Sequence, residues 1–80
     1  MYQVTENFLK ELENRFTYHS PTEEQVGRYS DIRRAVLELA KEIVSNTPPS
    51  REQSIALTKL DEVMFFANAS IARTEKLGEE

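Results

Sequence analysis

Three ring side chains crowd one short stretch of this sequence: Phe16, Tyr18 and His19 in Arg15-Phe16-Thr17-Tyr18-His19. Rings carried on a linker rather than on a regular helix are suited to stacking on a planar base. The same rings could instead seal the open end of a helical layer. Arg33 and Arg34 follow, and Arg51 stands beside Ser50, with Ser54 and Thr58 further on. An arginine in the first turn of a helix, where free backbone N–H groups already favour anions, makes a phosphate site when hydroxyl donors lie nearby. The competing reading is a solvated Arg51 paired with Glu52 or Asp61. Lys59 and Arg73 are 14 residues apart, so a helix projects both from one side. Asn68 and Ser70 interrupt an apolar stretch, and polar groups there need a hydrogen-bond partner from the chain, a second copy or a ligand.

None of these residues forms a catalytic or metal-binding pattern. His19 is the lone histidine and there is no cysteine. No His-Glu-x-x-His pattern, phosphate-binding glycine loop or nucleophile elbow occurs. The carboxylates Glu38, Glu42, Asp61 and Glu62 fall where solvated helix faces should, and acid–base pairs need an apolar pocket to split their pKa values. The chain is read as a binder without catalytic residues, metal or cofactor.

The elements that position these residues are legible from punctuation and period. Ser20-Pro21-Thr22-Glu23 reads as a helix start, with Ser20 as cap, Pro21 in the first turn and Glu23 reaching back. Val26, Tyr29, Ile32, Val36, Leu39 and Ile43 then recur at helical steps, with Ala40 and Val44 widening the stripe. Pro48-Pro49 must end that helix. Ser50-Arg51-Glu52-Gln53 is a second start of the same kind, and Gly78 is the expected terminator after an uninterrupted run to Leu77. Ahead of both, Thr5 caps a shorter amphipathic segment carrying Phe8, Leu9 and Leu12. The predicted fold is all-α: residues 1–80 as one helical domain, with an N-terminal helix and linker over 1–19 and an antiparallel two-helix hairpin over 20–78. The second long helix has too much apolar surface for a hairpin alone. Leu57, Leu60, Met64, Ala67 and Ile71 form one seam, with Ala56 and Val63 beside it. Ile55, Phe65, Phe66, Ala69 and Ala72 fall on another side. Either the N-terminal segment folds back over Phe65 and Phe66, or a homo-oligomer forms across this helix, which is the reading adopted.

Composition narrows the function classes. The sequence has 80 residues, and ten Lys and Arg against fourteen Asp and Glu give a net charge of −4. A chain of this length rarely builds a core worth more than about 3–5 kcal/mol, which again favours assembly. The acidic balance argues against DNA, RNA or an anionic membrane as partner, though not against a small anion held by a few arginines. The longest wholly apolar run, Val63–Ala67, is far short of the roughly 20 residues of a membrane span. No secretory signal is visible at the amino terminus, so the cytoplasm is the expected compartment.

One ordered series carries a resemblance. It runs from Arg15-Phe16-Thr17-Tyr18-His19 through Gln25, Tyr29, Ile32-Arg33 and Leu39-Ala40. It continues in the gap-free string Ser50-Arg51-Glu52-Gln53-Ser54-Ile55-Ala56-Leu57-Thr58-Lys59-Leu60-Asp61-Glu62 and ends in Met64-Phe65-Phe66-Ala67-Asn68-Ala69-Ser70-Ile71-Ala72-Arg73. Over residues 15 to 73 the sequence resembles the hairpin domain of phage anti-CBASS cyclic-nucleotide sponges, CBASS being cyclic-oligonucleotide-based antiphage signalling. Departures are Ile55 where leucine is common and Phe66 where tryptophan often stands. The resemblance implies a protein that holds cyclic di- and trinucleotide messengers, such as 3′,3′-cGAMP, without cleaving them, in the cytoplasm of an infected bacterium. It implies a compact homohexamer with pockets shared between protomers. It also implies Tyr18 as the stacking residue, with Phe16 behind it and His19 at the rim, and Arg33 as a phosphate contact. Arg51, Ser54, Thr58, Lys59, Asn68 and Arg73 would make ligand or subunit contacts. A relative with the same hairpin sequesters Thoeris signals, so a cyclic ADP-ribose variant is an alternative ligand. A helical adaptor with no small ligand is the other alternative.

Overall fold

The computed structural model describes residues 2–75, and among them finds three α-helices and no strand: α1 Glu6–Arg15, α2 Glu23–Asn46 and α3 Arg51–Thr74. Each starts where a hydroxyl can satisfy free N–H groups. Thr5 Oγ1 accepts from the Phe8 N–H at 3.1 Å, and Ser50 Oγ accepts from the Gln53 N–H at 3.1 Å. The start of α2 is a correction: its cap is Thr22, not Ser20, and its box closes with Gln25 instead of Glu23. The Gln25 N–H donates to Thr22 Oγ1 and the Thr22 N–H donates to Gln25 Oε1, both at 3.1 Å. Thr22-Glu23-Glu24-Gln25 repeats the spacing of the expected box two residues on. It places Glu23 and Glu24 in the first turn, where the helix dipole favours them, and leaves Pro21 outside the helix.

At Ser50 the box forms only by half. The Gln53 side chain turns away, and its Nε2 donates to Thr47 O and Oγ1 at 3.1 and 3.0 Å, closing the Pro48-Pro49 turn. α3 stops at Thr74, where the Glu75 N–H donates to Ile71 O at 3.1 Å. That is short of the predicted terminator; Leu77 and Gly78 lie outside the described residues.

α2 and α3 make the only extensive helix–helix contact among the described residues. The half-buried apolar side chains of α2 are Tyr29, Ile32, Val36, Ala40 and Ile43; on α3 Leu57, Met64 and Ala67 are half-buried around Leu60 and Ile71, the only buried hydrophobic residues among those described. Val26, Leu39 and Val44, expected on the stripe of α2, are exposed, as is Val63 of α3. A contact between two helices covers one narrow stripe and no more. Phe65 and Phe66 remain 62% and 70% exposed, so α1 does not fold back over them.

The result is a layer measuring 49 × 39 × 13 Å, about one helix diameter thick. Its radius of gyration is 17.1 Å, against about 12 Å for a compact chain of this length. Its accessible surface is 6711 Å², against roughly 5,000 Å² for a folded monomer of this mass. One copy therefore has a seam rather than a centre. No helix among the described residues is long and apolar enough to cross a membrane.

Candidate functional site

The open end of the hairpin holds a pocket of about 490 Å³ with three walls, within the roughly 300–1,000 Å³ of small-ligand sites. The linker after α1 supplies Arg15, Thr17, Tyr18, His19 and Pro21; α2 supplies Tyr29 and Arg33. α3 supplies Phe65, Asn68, Ala69, Ala72 and Arg73. The spacing of this last set, i, i+3, i+4, i+7 and i+8, is one helical face. Two alanines on that face leave space between the Phe65 ring and the Arg73 guanidinium.

Five of the predicted site residues, Tyr18, His19, Arg33, Asn68 and Arg73, thus meet at one place. Four others do not join them. Arg51, Ser54, Thr58 and Lys59 line a separate open groove with Ile55, on the N-terminal half of α3. Lys59 and Arg73, expected on one side of the helix, therefore serve different surfaces. Phe16 lines neither: it caps the end of α1, is exposed, and carries the Arg15 guanidinium 5.7 Å from its ring centroid, a cation–π distance.

Tyr29, Phe65, Ala69 and Ala72 are wall residues that the sequence reading assigned only to packing. Tyr29 precedes Arg33 by four residues, so helical spacing alone places it beside that arginine. The second apolar side of α3 is in part the back wall of a pocket.

The charges divide the same way. Among the described residues, neither Arg33 nor Arg73 takes part in an ion pair, whereas Arg34 pairs with Asp31. In the second groove, Arg51 lies 3.9 Å from Glu52 and Lys59 lies 3.7 Å from Glu62, both loose surface pairs. Arg73 also sits in the last turn of α3, where the helix dipole favours a cation. Asn68 Oδ1 is buried without a hydrogen-bond partner among the described residues, a position that calls for a donor from outside them.

A polar clamp holds the α2 and α3 walls together. Gln25 is 5% exposed, and its Nε2 donates to Glu75 Oε1 at 3.2 Å. Arg28 grips the same carboxylate with Nη1 at 2.8 Å and Nη2 at 2.6 Å, and holds Glu24 through Nη2 at 2.9 Å. The Arg28 guanidinium, helped by the Gln25 amide, pulls the Glu75 carboxyl down to about 2 from its ordinary 4.5. Bonding to Glu75 and Glu24 pushes Arg28 further up its already basic range. Sequence periodicity sees only apolar stripes, and Gln25, Arg28 and Glu75 carry no such signal.

Rings on a linker and guanidiniums on two helices suit a planar anionic ligand. An all-helical hairpin with such a pocket at its open end has room for a small ligand. A family model described as "Acb2/Tad1, hairpin domain" matches residues 9–72, a span that takes in every wall residue of the pocket except Arg73. The chain belongs to this family, the anti-CBASS and anti-Thoeris sponges. Members bind rather than cleave, and membership points to a phage sponge for signalling molecules. No curated protein and no solved structure matches the chain.

Proposed function

We propose that this protein sequesters cyclic di- and trinucleotide messengers, 3′,3′-cGAMP among them, and returns them intact. CBASS effectors in the cytoplasm of the infected bacterium are thereby left without their trigger. The observation that carries this reading is the convergence of Tyr18, Arg33 and Arg73 on one pocket from three separate elements. Tyr18 stacks on a base, a contact worth about 1–3 kcal/mol per base. Arg33 and Arg73 meet the phosphodiesters, since charge-assisted guanidinium–phosphate bonds are the strong ones. Asn68 offers its amide to a base edge.

The pocket is open, and a tight hold on so small a ligand requires near-complete enclosure and little ordering on binding. Phe65 of its wall and the next residue of α3, Phe66, are both exposed. Both features support closure by further copies, a homo-oligomer with the hexamer as its expected form. The groove at Arg51, Ser54, Thr58 and Lys59 then makes subunit or ligand contacts.

The test is titration calorimetry with 3′,3′-cGAMP and cyclic tri-AMP, followed by recovery of the ligand from denatured complex. Sedimentation of the protein and of Phe66→Lys accompanies it. Tight binding with intact ligand establishes the sponge; degraded ligand, or silence with both messengers, overturns this reading. The family pairs two kinds of sponge, so a cyclic ADP-ribose signal is the second reading, shown by binding of that ligand alone. An oligomer that binds none of the three is a helical adaptor.

A further inference from the structure

The last turn of α1 is tied to two walls of the pocket through one residue. Asn14 is half-buried; its Nδ2 donates to the carbonyl of Arg73 at 3.0 Å, and its own carbonyl lies 2.9 Å from His19 Nε2. Arg73 and His19 both line the pocket. We infer that Asn14 is a positioning residue for the ligand site: its side-chain amide ties the end of α1 to the end of α3, and so holds the main-chain carbonyl that fixes which nitrogen of His19 carries the proton.

The argument starts from helix ends. The final carbonyls of a helix have no intrahelical donor. Arg73 O belongs to the last turn of α3 and Asn14 O to the last turn of α1. The Asn14 amide satisfies the first across a sequence separation of 59 residues, and the His19 ring satisfies the second. A carbonyl oxygen can only accept, so His19 Nε2 must bear the hydrogen. Nδ1 of the neutral ring is then an acceptor, the group that a base amino or imino hydrogen would seek. Asn14 Oδ1 is buried without a partner among the described residues.

This role rests on the messenger reading of the pocket. Asn14→Asp has the same shape but puts an oxygen where the donor was, and Asn14→Ala removes the group. Both are compared with wild type by calorimetry against 3′,3′-cGAMP and by ¹⁵N spectra of the imidazole, unambiguous because His19 is the only histidine. Losing one such hydrogen bond should weaken binding about fivefold in both variants. The carbonyl that His19 meets is main-chain and persists in both variants, so a ring that passes from the Nε2–H form to a mixture of tautomers reports that the end of α1 has shifted against the linker once its amide tie to Arg73 O is cut. Wild-type affinity and an unchanged ring spectrum, alongside lost binding in Arg33→Ala, overturn the role of Asn14 and leave the messenger reading standing. Loss in Asn14→Ala but not in Asn14→Asp overturns it too, since shape alone would then suffice. A wild-type protein silent toward the messenger overturns both.

Discussion

Removing one guanidinium from each of the two clusters separates them by function. Arg33 lines the pocket with Tyr18 and Arg73, in no ion pair among the described residues. Arg51 lies in the other groove, 3.9 Å from Glu52, with a side chain 80% exposed. A hydrogen bond from a charged donor is worth about 1.5–3 kcal/mol, so Arg33→Ala should weaken 3′,3′-cGAMP binding by about 10- to 150-fold. Arg51→Ala removes a charge already screened by water and by its neighbour, and its effect should stay under about threefold. The ring gives an internal control: Tyr18→Phe keeps the stacking surface and should bind nearly as wild type. Tyr18→Ala should lose about 1–3 kcal/mol. Calorimetry at two salt concentrations is the assay, with a shallower salt dependence expected for Arg33→Ala because a phosphate contact has gone. Equal losses in Arg33→Ala and Arg51→Ala would refute the division into a ligand pocket and a separate groove. A Tyr18→Phe variant as weak as Tyr18→Ala would refute stacking.

Three further outcomes follow from the fold. Thr22→Ala should cost about 1 kcal/mol, lowering Tm by about 4–8 °C in a domain of this size, while Ser20→Ala should be neutral; thermal melts that reverse this order would return the cap to Ser20. Gly27 lies within α2, and a Cβ there would meet nothing within 4 Å. Gly27→Ala should therefore stabilise by about 0.5–1 kcal/mol, and a lowered Tm would mean that another surface approaches that point. Glu75 is held at about 2 when folded against an ordinary 4.5, so its share of stability is fully present above 4.5 and is lost as pH falls toward 2. The Tm gap between wild type and Glu75→Gln should close over that window and stay constant from pH 5 to 7; a gap independent of pH would disprove the clamp.

Much of the fold was legible because its signals are local. Hydroxyl caps at Thr5 and Ser50, a proline pair at 48–49 and apolar period mark three helices and their order, and the structure places all three there. The error at Ser20 arose because two overlapping box patterns compete, and the choice depends on which register puts Glu23 and Glu24 in the first turn. The excess apolar surface of α3 was also legible, from too many hydrophobic residues for one stripe. What covers it was not, and neither was its use: Phe65, Ala69 and Ala72 read as packing until Tyr18 and Arg33 are seen opposite them. Tyr18, His19, Arg33, Asn68 and Arg73 could be chosen by type, but only the closing of the hairpin sorts them from Arg51, Ser54, Thr58 and Lys59. The clamp and the Asn14 bridge were invisible, since both depend on polar contacts between residues about fifty apart or more.

The hairpin is pinned at both ends, by Gln25, Arg28 and Glu75 beside the pocket and by the Gln53 amide on Thr47 at the turn. Two helices fastened at a single point could slide past one another by a residue, about 1.5 Å, and open or narrow the space between them. Fastened twice, they hold the α2 and α3 walls at a set distance before any ligand arrives. Capture then waits on collision, not on rearrangement. On the proposed reading, a sponge that intercepts a signal before an effector does runs a race decided by arrival time as much as by equilibrium, and a rigid frame shortens that time.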